Sequence, residues 1–234
     1  MAELVYTPVI ELFKLVWKGL DIQFQFEGQE NLPKKGGAVI ASNHVSYLDF
    51  AFIGTGAIHT KRFIRFMAKK SAFDNKIAGP LLRGMKHISV DRENGNASFV
   101  TALKALRAGE VVGIFPEATI SQSFEIKGMK SGAVRLAIGA QVPIIPTVIW
   151  GSQRIWTKGV PRDFRRKSVP IHIAYGPPIF LAKDADVESA EIDLKKQMVS
   201  MLHKLQESYP DSHVGERWAP QRLGGTAPAP AIEG

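Results

Sequence analysis

His44 and Asp49 are the residues of this chain whose types and spacing suit proton transfer. Five residues along a continuous helix set two side chains about 140° apart, at 3.6 residues per turn. The two can therefore meet only if His44 lies in a turn and Asp49 in the first helical turn after it. A carboxylate placed there accepts one ring N–H of the imidazole and leaves the other nitrogen free as a base. The flanking residues predict such a turn. Ala38-Val39-Ile40-Ala41 is a short apolar run expected to be a buried strand, and a helix-compatible stretch runs from Tyr47 to about Ile58. A purely structural reading uses the same residues. Ser46-x-x-Asp49 fits a capping box with Ser46 at N-cap and Asp49 at N3, and His44 is then an ordinary loop histidine. On spacing alone, capping is the stronger account of Ser46 and Asp49.

The elements that must position this pair alternate between strand and helix. Ile88 to Val90 is a short strand ending in Asp91-Arg92, and Val111 to Phe115 is a buried strand that Pro116-Glu117 turns out of the sheet. A helix over Asn96 to Arg107, closed by Gly109, lies between them. If the strands run parallel, His44, Arg92 and Glu117 converge on one sheet edge, where open α/β sheets gather ligands. Taken singly, Arg92 is equally a surface arginine paired with Asp91 or Glu93, and Glu117 a salt bridge or helix cap. Lys127 and Lys130 precede a helix from about Ser131 to Ala140, so either could share an anion with that N-terminus or be simply solvated. Val142 to Trp150 and Pro170 to Tyr175 are further strands, Ile22 to Phe26 alternates as a half-exposed one, and Val187 to about Tyr209 is a long amphipathic helix.

Lys61, Arg62, Arg65, Lys69 and Lys70 are interleaved with apolar residues. The pattern predicts a strand with one charged, solvated face, or else a cationic apron for lipid headgroups at about 1 kcal/mol per base. Residues 72 to 84 are expected to be helical, with a break or kink at Gly79-Pro80. Residues 151 to 167 form a basic loop carrying Trp156 and Phe164, suited to a membrane interface or mobile in solvent.

Residues 3 to 20 predict a helix on which Thr7, Glu11, Lys14 and Lys18 make one narrow polar stripe. So much apolar surface suits either a helix sandwiched between core and partner or a monotopic helix lying in a membrane interface. The chain of 234 residues is 45% hydrophobic and carries a net charge of +8, so an acidic partner is expected: nucleic acid, an anionic membrane or a phosphorylated substrate. No nucleic-acid-binding motif accompanies the charge, so no nucleic-acid partner is expected. No run of 18 apolar residues and no signal-peptide layout is present. The absence of cysteine excludes a thiol nucleophile and disulfides. No metal or nucleotide motif is visible. Three segments result: an amphipathic membrane-associating helix at 1–20, a catalytic domain at 21–210, and a Gly/Ala/Pro-rich tail at 211–234 with a poorly ordered end.

Four blocks in order resemble the glycerophospholipid acyltransferases, the lysophosphatidic acid acyltransferase family. They are Asn43-His44-x4-Asp49, Ile88-Ser89-Val90-Asp91-Arg92, Phe115-Pro116-Glu117-Ala118-Thr119-Ile120-Ser121 and Val142-Pro143-Ile144-Ile145-Pro146-Thr147. The resemblance spans roughly residues 30 to 180. It implies an α/β fold with a mixed, largely parallel sheet flanked by helices. It also implies acyl transfer from a thioester, acyl-CoA or acyl carrier protein, to a free hydroxyl of a lysophospholipid, most directly 1-acylglycerol-3-phosphate. No further cofactor is implied. His44 and Asp49 become the catalytic pair, and Arg92, Glu117, Thr119 and Lys130 substrate-binding residues. With no Gly-x-Ser-x-Gly elbow and no cysteine, attack is expected to be direct, without an acyl-enzyme. Both substrates being lipids, the expected place is the cytoplasmic face of the cell membrane, peripheral or monotopic. Two departures bear on the acceptor. Ala118 stands for the family's glycine, which removes cheap access to positive φ. Ile120 stands for its phosphate-binding arginine, so Arg92, Lys130 or Lys127 carries the anion, or the acceptor is another lysolipid or a glycolipid. A non-catalytic lipid-binding protein on the same fold is the remaining alternative.

Overall fold

Continuous rather than alternating hydrophobicity requires strands covered on both faces, and the runs at 38–41, 111–115 and 142–150 become such strands. The computed structural model describes residues 4–91, 95–165 and 167–230. Among them are the strands β1 (Gln23–Glu27), β2 (Ala38–Ser42), β3 (Ile64–Lys69), β4 (Ile88–Val90), β5 (Val111–Ile114), β6 (Ile144–Trp150) and β7 (Pro170–Tyr175). They form one sheet in the order β1-β7-β6-β2-β5-β3-β4. Every neighbouring pair is parallel except β6 and β7. This is the mixed, largely parallel α/β sheet that the sequence predicts.

The connections decide where a ligand can enter. From β2 the chain crosses through α2 (Asp49–Ala57) to β3, toward the β4 edge. From β5 it crosses through α6 (Gly132–Ala140) to β6, toward the opposite edge. Adjacent strands whose connections leave in opposite directions open a crevice at their carboxyl ends. β2 and β5 are such a pair, and His44 and Glu117 follow them. The helices α5 (Gly95–Arg107), α6 and α7 (Val187–Glu207) pack side by side, and α2 packs on β3 and β7.

The N-terminal helix α1 (Tyr6–Gly19) lies over α2. Trp17 stacks on Phe52 at 4.2 Å and gives its indole N–H to Thr55 Oγ1, while Tyr6 gives its hydroxyl to the Ile64 carbonyl. Burying each such side chain contributes about 1.5–3 kcal/mol. The other side of α1 is open: Leu4, Leu12, Leu15 and Val16 are exposed. No helix among the described residues is long and apolar enough to cross a membrane.

Four expectations need correction or refinement. Arg65 does not lie on a solvated face. Its side of β3 is covered by Tyr6 of α1 and by Met85; Arg65 is buried with its guanidinium 5.5 Å from the Tyr6 ring, pairs with Glu110 at 3.2 Å and donates to the Met85 carbonyl at 3.0 Å. Arg62 likewise turns inward to the carbonyls of Pro33 and Gly36, which leaves Lys61, Lys69 and Lys70 as the exposed cations of that stretch. The helix expected over 72–84 is two pieces, α3 (Lys70–Phe73) and α4 (Ala78–Gly84). The break is made by Asn75, whose side chain takes the N–H groups of Ile77 and Ala78, and Pro80 sits in the first turn of α4 where its missing N–H costs nothing. The basic loop after β6 is not solvated throughout, because Ser152, Gln153, Ile155 and Thr157 are buried. Finally, part of the Gly/Ala/Pro-rich tail is core: Trp218, Ala219 and Ala227 are buried, and Arg154 lies 4.4 Å over the Trp218 ring. Residues 231–234 lie outside the described residues.

Candidate active site

The turn after β2 is built before any chemistry is asked of it. Asn43 extends the β2–β6 ladder with its side chain, donating to the Ile149 carbonyl at 3.1 Å and accepting the Ile149 N–H at 2.8 Å. The next residues are clamped by the loop after β6. Thr157 Oγ1 donates to the Val45 carbonyl, while Ser46 Oγ and the Tyr47 N–H both donate to the Trp156 carbonyl. From the other side, the Ser121 N–H donates to the His44 carbonyl at 2.8 Å.

Within this frame His44 and Asp49 meet. Nδ1 of His44 lies 2.9 Å from Asp49 Oδ2. Asp49 opens α2 and is fully buried, yet its carboxylate is well provided for. Oδ2 also accepts the N–H groups of Val45 and Ser46 at 2.8 Å each, and Oδ1 accepts the Ser152 hydroxyl at 2.6 Å. These donors satisfy the oxygens of the buried side chain in place of water. The two readings of Asp49 are thus not exclusive. Half of the capping box forms, because Asp49 takes the Ser46 N–H. Ser46 Oγ accepts instead from Leu48 N–H at 3.1 Å, and the Leu48 side chain makes no cap.

With Nδ1 facing a carboxylate, the imidazole presents Nε2 outward. That nitrogen has no hydrogen-bond partner among the described residues, and the side chain keeps 19% of its accessible surface. The ring is held flat by Phe115, centroids 4.1 Å apart at 17°, and Phe115 is backed in turn by Phe66. Gly113 makes that backing possible, since a Cβ there would come within 2.5 Å of the Phe66 ring.

Glu117 lies against the same turn. It is buried, and its acceptors face backbone: Oε1 takes the His44 N–H at 2.9 Å and Oε2 the Lys127 N–H at 3.2 Å. Burial pushes its carboxyl up to about 7, against the opposing pull of those N–H groups and of Lys127 and His44. Ala118 adopts φ +57°, so alanine occupies the left-handed conformation that the family's glycine would adopt freely. Thr119 and Lys130 are exposed on the same loop, while Ile120 is buried. Lys127 Nζ reaches the Ile120 carbonyl at 3.4 Å, close to where the family's arginine would begin. Arg92 lies outside the described residues.

So the fold gathers His44, Asp49 and Glu117 at one turn after β2, with the backbone of Lys127. Sequence reasoning missed Ser152, Ser121 and Thr157, and gave Asn43 no role. The one signal for Ser152 was its position: it follows Gly151, at φ +98°, at the end of β6 on this same edge. No group of three or more His, Cys, Asp or Glu residues among those described could hold a metal ion. The arrangement suits removal of a proton from a hydroxyl or other weak acid brought to Nε2.

Comparison with known proteins gives the family and the fold. A family model described as Acyltransferase matches residues 23–150, which run from β1 to the end of β6 and include the crevice. The chain is 40% identical over 124 residues to the 1-acyl-sn-glycerol-3-phosphate acyltransferase of Bacillus subtilis (strain 168), covering 53% of this chain and 60% of that protein. It is 30% identical over 192 residues to the 1-acyl-sn-glycerol-3-phosphate acyltransferase of Limnanthes douglasii, covering 78% and 61%. The chain thus spans about three-fifths of the length of these relatives. The crystal structure of the 1-acyl-sn-glycerophosphate (LPA) acyltransferase PlsC from Thermotoga maritima has the same fold, with a TM-score of 0.72 over 88% of this chain and 81% of that chain, at 20% identity.

Proposed function

The chain belongs to the acyltransferase family, and from that premise we propose that it moves a fatty acyl group from an acyl thioester to a free hydroxyl of a lysophospholipid, with 1-acylglycerol-3-phosphate as the acceptor. His44 Nε2 takes the proton of the acceptor hydroxyl as its oxygen attacks the thioester carbonyl. The tetrahedral intermediate then collapses, the C–S bond breaks, and the imidazolium returns the proton to the departing thiolate. Asp49 keeps the ring in the tautomer with its proton on Nδ1 and stabilises the imidazolium between the two steps. General-base catalysis of this kind contributes about 10²–10⁴-fold. The observation that carries the reading is the 2.9 Å contact between Nδ1 and Oδ2, with the opposite ring nitrogen unengaged on a part-exposed side chain.

Lys127 and Lys130 flank the N-terminus of α6, whose dipole favours an anion, and are the cations we assign to the acceptor's phosphate. The donor is coenzyme A or acyl carrier protein. The open apolar side of α1 and the Trp156, Phe164 and Arg162 group, in which the guanidinium lies about 6 Å from both rings, support attachment to an anionic membrane surface from the cytoplasmic side. One observation favours a second acceptor class. Ile120 is buried where the family's arginine stands, so a lysolipid or glycolipid with less charge is the alternative substrate.

The test is product analysis by mass spectrometry with a panel of lysophospholipids and acyl thioesters. His44→Ala is expected to lower turnover by about 10²–10⁴-fold with the far-ultraviolet spectrum unchanged; retained turnover refutes the mechanism. Acceptors with and without a phosphate separate the two substrate classes.

A further inference from the structure

We propose that Glu117 is a positioning residue rather than a ligand of the acceptor: one carboxylate oxygen holds the peptide of His44 and the other that of Lys127, fixing the proton acceptor to the loop that carries the acceptor's counter-charge. The inference rests on the acyl-transfer reading above for its kinetic consequences, but not for its geometry.

Three observations lead to it. First, both oxygens are already engaged, at 2.9 Å by the His44 N–H and at 3.2 Å by the Lys127 N–H, and the side chain is buried rather than presented to the crevice. Second, the bonds are part of a closed frame. The Ser121 N–H holds the His44 carbonyl from the same loop, and the Lys130 N–H donates to the Pro116 carbonyl, so residues 116–130 fold back on themselves and grip the His44 peptide on both its polar groups. Third, the other restraints on His44 act on its ring, through Asp49 and Phe115, and leave the peptide to Glu117 and Ser121. A ring oriented well on a backbone that can shift is still a poorly placed base, because a displacement of about 1 Å costs about 10²-fold in such reactions.

The grip depends on ionisation. A carboxylate accepts both N–H groups. A neutral carboxyl has turned one oxygen into an O–H donor and holds the N–H there more weakly. The charged or titratable groups facing Glu117 are His44 on the turn after β2 and Lys127 on its own loop, and both favour the carboxylate. Burial opposes them and brings the change into the neutral range, so the grip tightens as pH rises through about 7.

Glu117→Gln keeps the shape but offers one acceptor oxygen and one unwanted donor. It is expected to lower kcat about 10- to 100-fold, leave KM for acceptor and donor within about 3-fold, and remove one of the two ionisations from the acid limb of the kcat profile. A rise of about 10-fold or more in the acceptor KM with kcat retained makes Glu117 a substrate ligand and overturns the proposal. A second measurement needs no turnover and no variant. In a ¹⁵N-labelled sample of the full chain, the His44 and Lys127 amide protons are expected to titrate together with a midpoint near 7; independent or absent titration overturns the proposal even if Glu117→Gln fails to fold. Joint titration in a chain that acylates none of the lysophospholipids supplied supports the staple and sinks the acyl-transfer reading instead.

Discussion

His44 and His87 belong to one aromatic train and are prepared for opposite states. His44 stacks on Phe115, Phe115 on Phe66, and Phe66 meets the edge of His87 at 6.1 Å. The difference lies at Nδ1. In His44 this atom faces a carboxylate, which can hold a proton there and leaves Nε2 unengaged beside solvent. In His87 it accepts the backbone N–H of Phe66 at 2.9 Å, which puts the ring proton on Nε2, buried with no hydrogen-bond partner among the described residues, beside a small cavity between α1 and α2. Burial, with Arg65 alongside, lowers His87 to about 4. The same ring keeps one nitrogen unengaged beside solvent in one place and is a neutral structural piece in the other. The contrast teaches that an imidazole's role is set by what its first nitrogen touches.

The largest expected effect removes that distinction on the His44 side. Asp49→Asn keeps the volume but cannot accept from His44, Val45, Ser46 and Ser152 together, since half of the carboxylate's acceptor capacity becomes an NH₂ donor. Turnover should fall about 10²–10⁴-fold, measured as thioester consumption with a lysophospholipid. Activity within a few-fold of wild type would mean that orientation by the carboxylate is not what makes His44 basic.

The next effect is on stability and comes from the His87 side. Its folded value of about 4 lies below the ordinary 6.5, so the folded chain binds fewer protons there than the unfolded chain. The sign follows: this contribution is complete above about 6.5 and is lost as pH falls toward about 4, by roughly 3 kcal/mol at 1.36 kcal/mol per pKa unit. His87→Asn can set its Oδ1 where Nδ1 was and keep the Phe66 N–H satisfied. Denaturant titrations at pH 7 and pH 4.5 should then show a smaller acid loss in the variant than in wild type, with kcat little changed. An equal acid loss in both would place the sensitivity elsewhere.

This contrast was half legible in the sequence. The His44 turn was, because a strand, a spacing of five and a helix start leave one way for the two side chains to meet. The uniform apolar runs marked buried strands, and the largely parallel sheet was what the family resemblance implied. His87 drew no notice, because its partner is a backbone N–H on β3, and backbone partners leave no mark on residue type. Arg65 was misjudged for a related reason. Its alternation with Phe66 looks the same whether the charged side meets water or Glu110, and only the packing of Tyr6 and Met85 over that face decides. Ser152 is 103 positions from the carboxylate it serves. A local reading of the chain could see its place at a strand end but not its partner.

The smallest effect concerns Ala118, where the loop holding His44 carries strain that the His87 slot does not. Left-handed backbone costs an alanine about 1–2 kcal/mol, and φ +57° at Ala118 is in that region. Glycine removes this cost but gives the unfolded chain more freedom, worth about 0.5–1 kcal/mol in the other direction. Ala118→Gly should therefore gain about 0.5–1 kcal/mol, read as a higher midpoint in denaturant. The Ala118 N–H closes its turn on the Phe115 carbonyl at 2.9 Å, with Glu117 inside that turn. If the glycine variant is more stable and equally active, the hydrogen bonds of Glu117 alone are enough to hold the loop on His44. If it is more stable but slower, the strained alanine is itself part of what keeps the loop in register, and a departure from the family pattern that looked like a loss becomes a stiffener for the base.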